Sequence, residues 1–165
     1  MYFEIIEKAF WSGIVGFGFA VLFNVPKRLL LTILITALFA GLVKFGALAN
    51  GINIIVASLF AASVVGFASV FLSRIMNTSP FVLSIPSVIG MIPGYFGYKT
   101  LLGIMHFALD TSPEIETTIL LGIAHNGINM MFILASLSIG VSLPWLLFRK
   151  KGLEKITFSH HEDLV

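Results

Sequence analysis

The chain contains no cysteine, which excludes disulfides, thiolate catalysis and cysteine-ligated metals. Charge is scarce too: 11% of the 165 residues are charged, against about 25% in a soluble domain. What acids there are lie near the first span or past residue 109, so the apolar runs hold no carboxylate pair, and no nucleophile triad or metal cluster appears. A membrane enzyme is therefore a weak reading, and neither a catalytic residue, a cofactor nor a metal is expected. The amino terminus also lacks the basic start and small-residue cleavage pattern of a secretory signal, carrying Glu4, Glu7 and Lys8 instead. The first apolar run is expected to be retained. The basic residues are few and scattered, so a sequence pI near 9.1 reports orientation and argues for no nucleic-acid partner.

What is present is apolar length. Hydrophobic residues make up 58% of the chain and mean hydropathy is +1.02. The expected fold is an all-α integral membrane protein in contact with lipid. It is one polytopic domain over residues 1–165, with five spans near 5–23, 29–49, 52–73, 80–109 and 117–148 and a tail at 149–165. Loops carry turn chemistry: Asn24-Val25-Pro26, Asn50-Gly51, Asn77-Thr78-Ser79-Pro80 and Asp110-Thr111-Ser112-Pro113. Ser112-Pro113-Glu114 fits the start of the fifth span, with Pro113 at the first helical position. With five spans, seven basic residues (Lys27, Arg28, Arg74, Arg149, Lys150, Lys151, Lys155) fall on one side and three (Lys8, Lys44, Lys99) on the other. The positive-inside rule then orients the amino terminus outside and the carboxyl terminus in the cytoplasm.

Residues 80–97 interrupt the fourth span with three prolines and three glycines. Pro86 and Pro93 remove backbone donors, and Gly90 and Gly94 weaken the helix, so a discontinuous span is expected. Freed backbone groups in hydrocarbon cost several kcal/mol each unless satisfied, so such breaks are tolerated at protein-lined cavities. Pro86, Ser87, Gly90, Pro93 and Gly94 are accordingly candidate pathway residues. The fifth run, at 32 residues, is also long: about 48 Å of helix against about 30 Å of hydrocarbon. Asn126-Gly127 and Pro144 are its candidate bends.

On that run Gly122, His125, Asn126, Asn129, Ser136 and Gly140 share a helical face. His125, Asn126 and Asn129 either line a hydrated path or supply interhelical hydrogen bonds. Lys99 either offers charge to an anionic solute or snorkels outward, Tyr95 and Tyr98 either line the path or anchor at the interface, and Lys44 leans toward snorkelling. His106 is placed at the outer boundary. Gly13, Gly16 and Gly18 read as packing rather than a nucleotide loop, since no strand precedes them. Ser58, Ala62 and Gly66 form a close-packing ridge for an unidentified partner. The repeated Asn-Gly-Ile-Asn at 50–53 and 126–129 is taken as coincidence, and Ser159-His160-His161-Glu162-Asp163 as a solvated tail.

Three stretches together carry a resemblance: Phe23-Asn24-Val25-Pro26, Ile89-Gly90-Met91-Ile92-Pro93-Gly94, and Leu137-Ser138-Ile139-Gly140-Val141-Ser142-Leu143-Pro144. The chain resembles the threonine/serine exporter family, in a short form that matches the carboxyl-terminal membrane half. That resemblance implies a bacterial inner-membrane exporter of small polar metabolites, either threonine/serine-like amino acids or a dicarboxylate such as succinate, driven by the proton-motive force. It also implies a larger membrane subunit that supplies the complementary half and a soluble domain. An odd span count duplicated in a second half yields an inverted repeat, and a homo-oligomer is a further partner expectation. The alternative is a non-transporting assembly or regulatory membrane subunit.

Overall fold

In the computed structural model, residues 2–109 and 113–162 are described, with side chains placed over 2–109 and 117–148. They form six helices: α1 (Tyr2–Leu22), α2 (Lys27–Ala49), α3 (Ile54–Met76), α4 (Pro80–Ile89), α5 (Gly94–Leu109) and α6 (Pro113–Glu162). The first three helices and residues 117–148 of α6 are each long and apolar enough to cross a membrane, and α4 with α5 makes a fifth candidate span bent by 55°. No strand occurs among the described residues.

The connections follow from local chemistry. Asn24 and Asn77 turn the chain with positive φ (54° and 49°), where an asparagine is tolerated better than most side chains. Gly51 does the same at φ 78°, and Asn53 then caps α3 by accepting from the Ile55 N–H at 2.9 Å. The second Asn-Gly-Ile-Asn lies inside α6, so the two copies have unrelated roles. Pro80 stands in the first turn of α4, where its missing N–H costs no helical bond. The cap expected at Ser112 and the acidic residues after it lie outside the residues with described side chains. So do the basic run at 149–151 and the acidic, histidine-bearing tail, although α6 itself continues past Phe148 to Glu162.

Small residues let the helices approach. On α1, Gly13 faces Leu34 and Leu38, and a Cβ at Gly16 would stand 2.7 Å from that of Ala37. Reciprocally, a Cβ at Gly41 would stand 2.9 Å from the Ala9 Cα, so α1 and α2 are sealed by backbone proximity. The ridge on α3 finds its partner in α6: a Cβ at Gly140 would fall 2.7 Å from that of Ala62, and one at Gly66 would fall 2.9 Å from the Gly140 carbonyl and the Pro144 ring. Gly140→Leu is therefore expected to cost at least about 1–3 kcal/mol by overpacking. Gly18→Leu, at a position with nothing within 4 Å, should be neutral. Thermal unfolding of the two purified variants checks this pair.

Helix α4 packs against α1, α2 and α3, whereas α5 leaves that group and packs on α6 alone among the described residues. Met91, at the junction, is 2% exposed and joins Ala40, Ala61, Ala62, Val65, Ile133 and Leu137 in the larger apolar cluster. The break is thus pinned in the larger apolar cluster, with one half-helix on each side of it.

Candidate functional site

The break is made by fewer residues than the sequence suggests. Pro86 does not end α4, which runs through it to Ile89 with the ring buried. Gly90 has ordinary helical angles (φ −62°, ψ −12°) and Gly94 no positive φ, so neither uses the conformational freedom expected of it. Gly90 instead allows a close approach: a Cβ there would stand 3.2 Å from the Val15 side chain. Pro93 does the breaking. A continuous helix would bond the Ile89 carbonyl to residue 93, which has no N–H. The Ile89 carbonyl accepts from the Ile92 N–H at 3.1 Å, the Val88 carbonyl from the Met91 N–H at 2.8 Å, and the chain tightens before α5 begins.

The Met91 carbonyl is freed by the same event, because its helical partner would have been residue 95. Lys44 Nζ takes it, donating at 3.0 Å. Lys44 was expected to snorkel; it is 7% exposed and turned inward. Helix α2 ends at Ala49, where the expected span ends, so the inward turn comes from the freed Met91 carbonyl and not from a longer span. Sequence reasoning missed this role, although a cation bracketed by apolar residues inside a span was the available signal.

One side of the break is tightly packed. Ser87 is fully buried, its hydroxyl donating to the Leu83 carbonyl at 2.8 Å and lying 3.5 Å from the Ile33 carbonyl of α2. It therefore does not line an open path. The other side is open: a cleft of about 380 Å³ runs between α4 and α6, lined by Phe81, Ser84, Ile85, Ile92, Leu134 and Ser138, with Ser142 among the other lining residues. It begins beside the Phe81–Trp145 ring pair, whose centroids are 5.4 Å apart, and ends at Ile92 beside the break. Ser84 and Ser142 each lie three residues inward of those rings, and Ser138 lies one further turn along. The Ser84 hydroxyl is buried without a hydrogen-bond partner. A second cleft, about 490 Å³, flanks the start of α4 between Phe23-Asn24-Val25-Pro26 and Phe81 to Pro86. Neither cleft was visible in the sequence, because each is made by residues far apart along the chain.

The polar face of α6 is divided. Ser136 is buried and Gly140 packs on α3, while His125, Asn126 and Asn129 lie on the portion of α6 beside α5. There Gly97 meets Met130, Gly103 meets Ile123 and Gly127 meets Thr100. Asn126 Nδ2 donates to the Gly122 carbonyl at 2.7 Å, and Asn129 Nδ2 lies 3.0 Å from the His125 carbonyl and 3.1 Å from His125 Nε2. These amide donors are satisfied within α6 itself. The break meets α6 at Ile133 and Leu137 instead, so the structure does not bring the two halves of the expected site into contact. Tyr95 and Tyr98 are exposed, and Lys99 Nζ sits 5.7 Å from the centre of the Tyr95 ring. His106 is exposed in the last turn of α5. Among the described residues no group of three His, Asp or Glu is placed to hold a metal ion.

Residues 8–147 match the family described as Threonine/Serine exporter, ThrE. The chain belongs to the threonine/serine exporter family. It is also similar to a Haemophilus influenzae protein, described as uncharacterized, at 30% identity over 151 residues, covering 90% of this chain and 49% of that protein. The chain thus spans about half the length of that relative. No solved structure matches it. The matched stretch of the exporter family takes in the α4–α5 break, Lys44, the serine-bearing cleft and the polar face of α6.

Proposed function

We propose that this chain is one half of a secondary exporter of small polar metabolites, completed by a larger membrane subunit that carries the complementary half and a soluble domain. The observation that carries this reading is the α4–α5 break: a span interrupted in the larger apolar cluster, tight against α1 and α2 and open toward α6. A broken span beside a cleft is the usual setting of a transporter's midplane site. Membership of an exporter family supports the direction of transport. The solute is a threonine/serine-like amino acid or a dicarboxylate such as succinate, and the proton-motive force drives it. The path runs along the α4–α6 cleft beside the Phe81–Trp145 pair, passes Ser142 and Ser138 with Ser84 set into the cleft wall, reaches the break, and leaves along α5 and α6 by Asn126, Asn129 and His125.

The amino terminus faces outward and the carboxyl terminus the cytoplasm of a bacterial inner membrane. Arg74, which lies 5.6 Å from the Phe148 ring centre, stands at the same end of the bundle as Lys27 and Arg28, whose neighbour Thr32 meets Met76. That shared basic end is the support for orientation. In this cysteine-free chain a single cysteine at position 150 should resist impermeant thiol reagents in intact cells and react after permeabilisation; labelling in intact cells reverses the topology.

Export itself is tested in cells that express the chain with the complementary half and are preloaded with threonine or succinate. Efflux above that of cells lacking either half is expected. Ser84→Ala makes a sharper check, because its hydroxyl bonds nothing in the fold. Losing an unpartnered hydroxyl should leave thermal stability unchanged or slightly raised, yet slow efflux several-fold if solute passes this point. The packed side of α4 favours a second reading, a non-transporting assembly or regulatory subunit, under which Ser84→Ala leaves efflux unchanged.

A further inference from the structure

Among the described side chains, no acid is paired with the Lys44 ammonium. From residue 8 to residue 109, the stretch that includes α2 through α5, there is no aspartate or glutamate. Its polar contact in the fold is the Met91 carbonyl, which occupies one of three ammonium donors. On α1 the charged groups are Glu4, Glu7 and Lys8, all exposed, and Glu4 and Lys8 line a cleft of about 340 Å³ with Phe45, Leu48 and Ala49 beyond Lys44. The one charge on α3 is Arg74, in its last turn, at the end of the bundle where α2 begins. Helix α4 has no charge, and Lys99 on α5 lies over Tyr95. His125, the titratable side chain among the described ones on α6, is exposed beside Asn129.

An isolated buried charge is costly, and proteins hold such charges when a counter-ion or a bound group compensates them. A cap for one freed carbonyl needs no charge, since a neutral amide donor would serve. We infer that Lys44 is the anchor for the carboxylate of the transported solute, an inference that rests on the exporter reading above. The solute's carboxylate takes the two ammonium donors that Met91 leaves unused. The α4–α6 cleft ends at Ile92, one residue along the chain from Met91, while Lys44 holds the Met91 carbonyl from the α2 side and does not line the cleft, so the solute reaches the anchor only through the break itself. The Gly90 and Met91 carbonyls, released from helical partners, are the acceptors for an ammonium group where the solute is zwitterionic.

Lys44→Gln separates charge from capping, because the glutamine amide can still donate to the Met91 carbonyl but cannot pair with a carboxylate. Lys44→Arg keeps the charge. The assay is efflux from proteoliposomes holding the chain with its complementary half, loaded in parallel with L-threonine, its carboxylate-free analogue L-threoninol, succinate, and its neutral analogue succinamide. In the wild type the carboxylate-bearing member of at least one pair is favoured. In Lys44→Gln that preference is expected to fall by about 10- to 100-fold, the range for losing one charge-assisted bond, with Lys44→Arg retaining most of it. The pair that shows the preference identifies amino acid or dicarboxylate as the source of the carboxylate. A preference unchanged in Lys44→Gln overturns the inference and leaves the exporter reading standing, as does an equal loss for both members of a pair, which marks a charge needed by the fold and not by the solute's carboxylate. A wild-type complex that moves none of the four overturns the exporter reading and this inference with it.

Discussion

Pro93→Ala is expected to join α4 to α5 and to lower efflux at least tenfold per assembled complex. Alanine restores an N–H at residue 93, the α-helical partner of the Ile89 carbonyl that now accepts from Ile92, and each later residue can then take its own helical partner: Gly94 the Gly90 carbonyl, Tyr95 the Met91 carbonyl. The last of these competes with Lys44 for its acceptor. Removing a proline from a continuous helix gains about 3 kcal/mol, enough to shift the local conformation decisively toward the straight form, so the 55° bend should diminish. Spin labels on α4 and α5 report the angle, and efflux normalised to assembled complex reports function. A straightened pair with full efflux would remove the break from the transport path.

Asn126→Leu is the second large effect. Leucine nearly preserves size and removes both the donor and the acceptor of the amide. The bond it breaks, from Asn126 Nδ2 to the Gly122 carbonyl, lies within α6 and holds no other helix. Assembly should therefore survive, and a helix-forming leucine costs α6 little. If the path leaves along α5 and α6, the amide is a station on it, and efflux falls about tenfold or more, as expected when a solute loses a hydrogen-bonding group built to receive it. Near-normal efflux per complex would remove Asn126 from the pathway, leaving it a residue whose polarity is satisfied by its own helix.

The spans were legible because lipid imposes one simple demand, that apolar length be continuous; α1 to α5 begin and end close to the expected boundaries, whereas α6 continues to Glu162, past the end expected at residue 148. The interruption at residues 90–93 was equally legible, since a proline without an N–H acts through the chain's own backbone. Its cause was not fully so. Pro86, identical in type to Pro93, is carried inside α4, and Gly90 serves contact with Val15 rather than a turn. Those distinctions depend on which helix lies alongside. Lys44 shows the limit most clearly: its partner is 47 residues away, and distance to the end of a hydrophobic run could not reveal that the side chain points toward a carbonyl freed elsewhere. The polar face of α6 was correctly seen as a face. Only packing divides it, sending Ser136 and Gly140 into the bundle and His125, Asn126 and Asn129 toward the α5 side. The ridge of Ser58, Ala62 and Gly66 likewise announced close packing, and only the fold supplied α6 as the partner.

The central claim is that this chain is half of an exporter, and reconstitution tests it most directly. Liposomes holding the chain alone, the complementary half alone, and both together are loaded with threonine or succinate, and efflux is followed with and without an imposed proton gradient. Efflux is expected from the combined preparation alone, accelerated by the gradient. Equal efflux from the complementary half without this chain would contradict it.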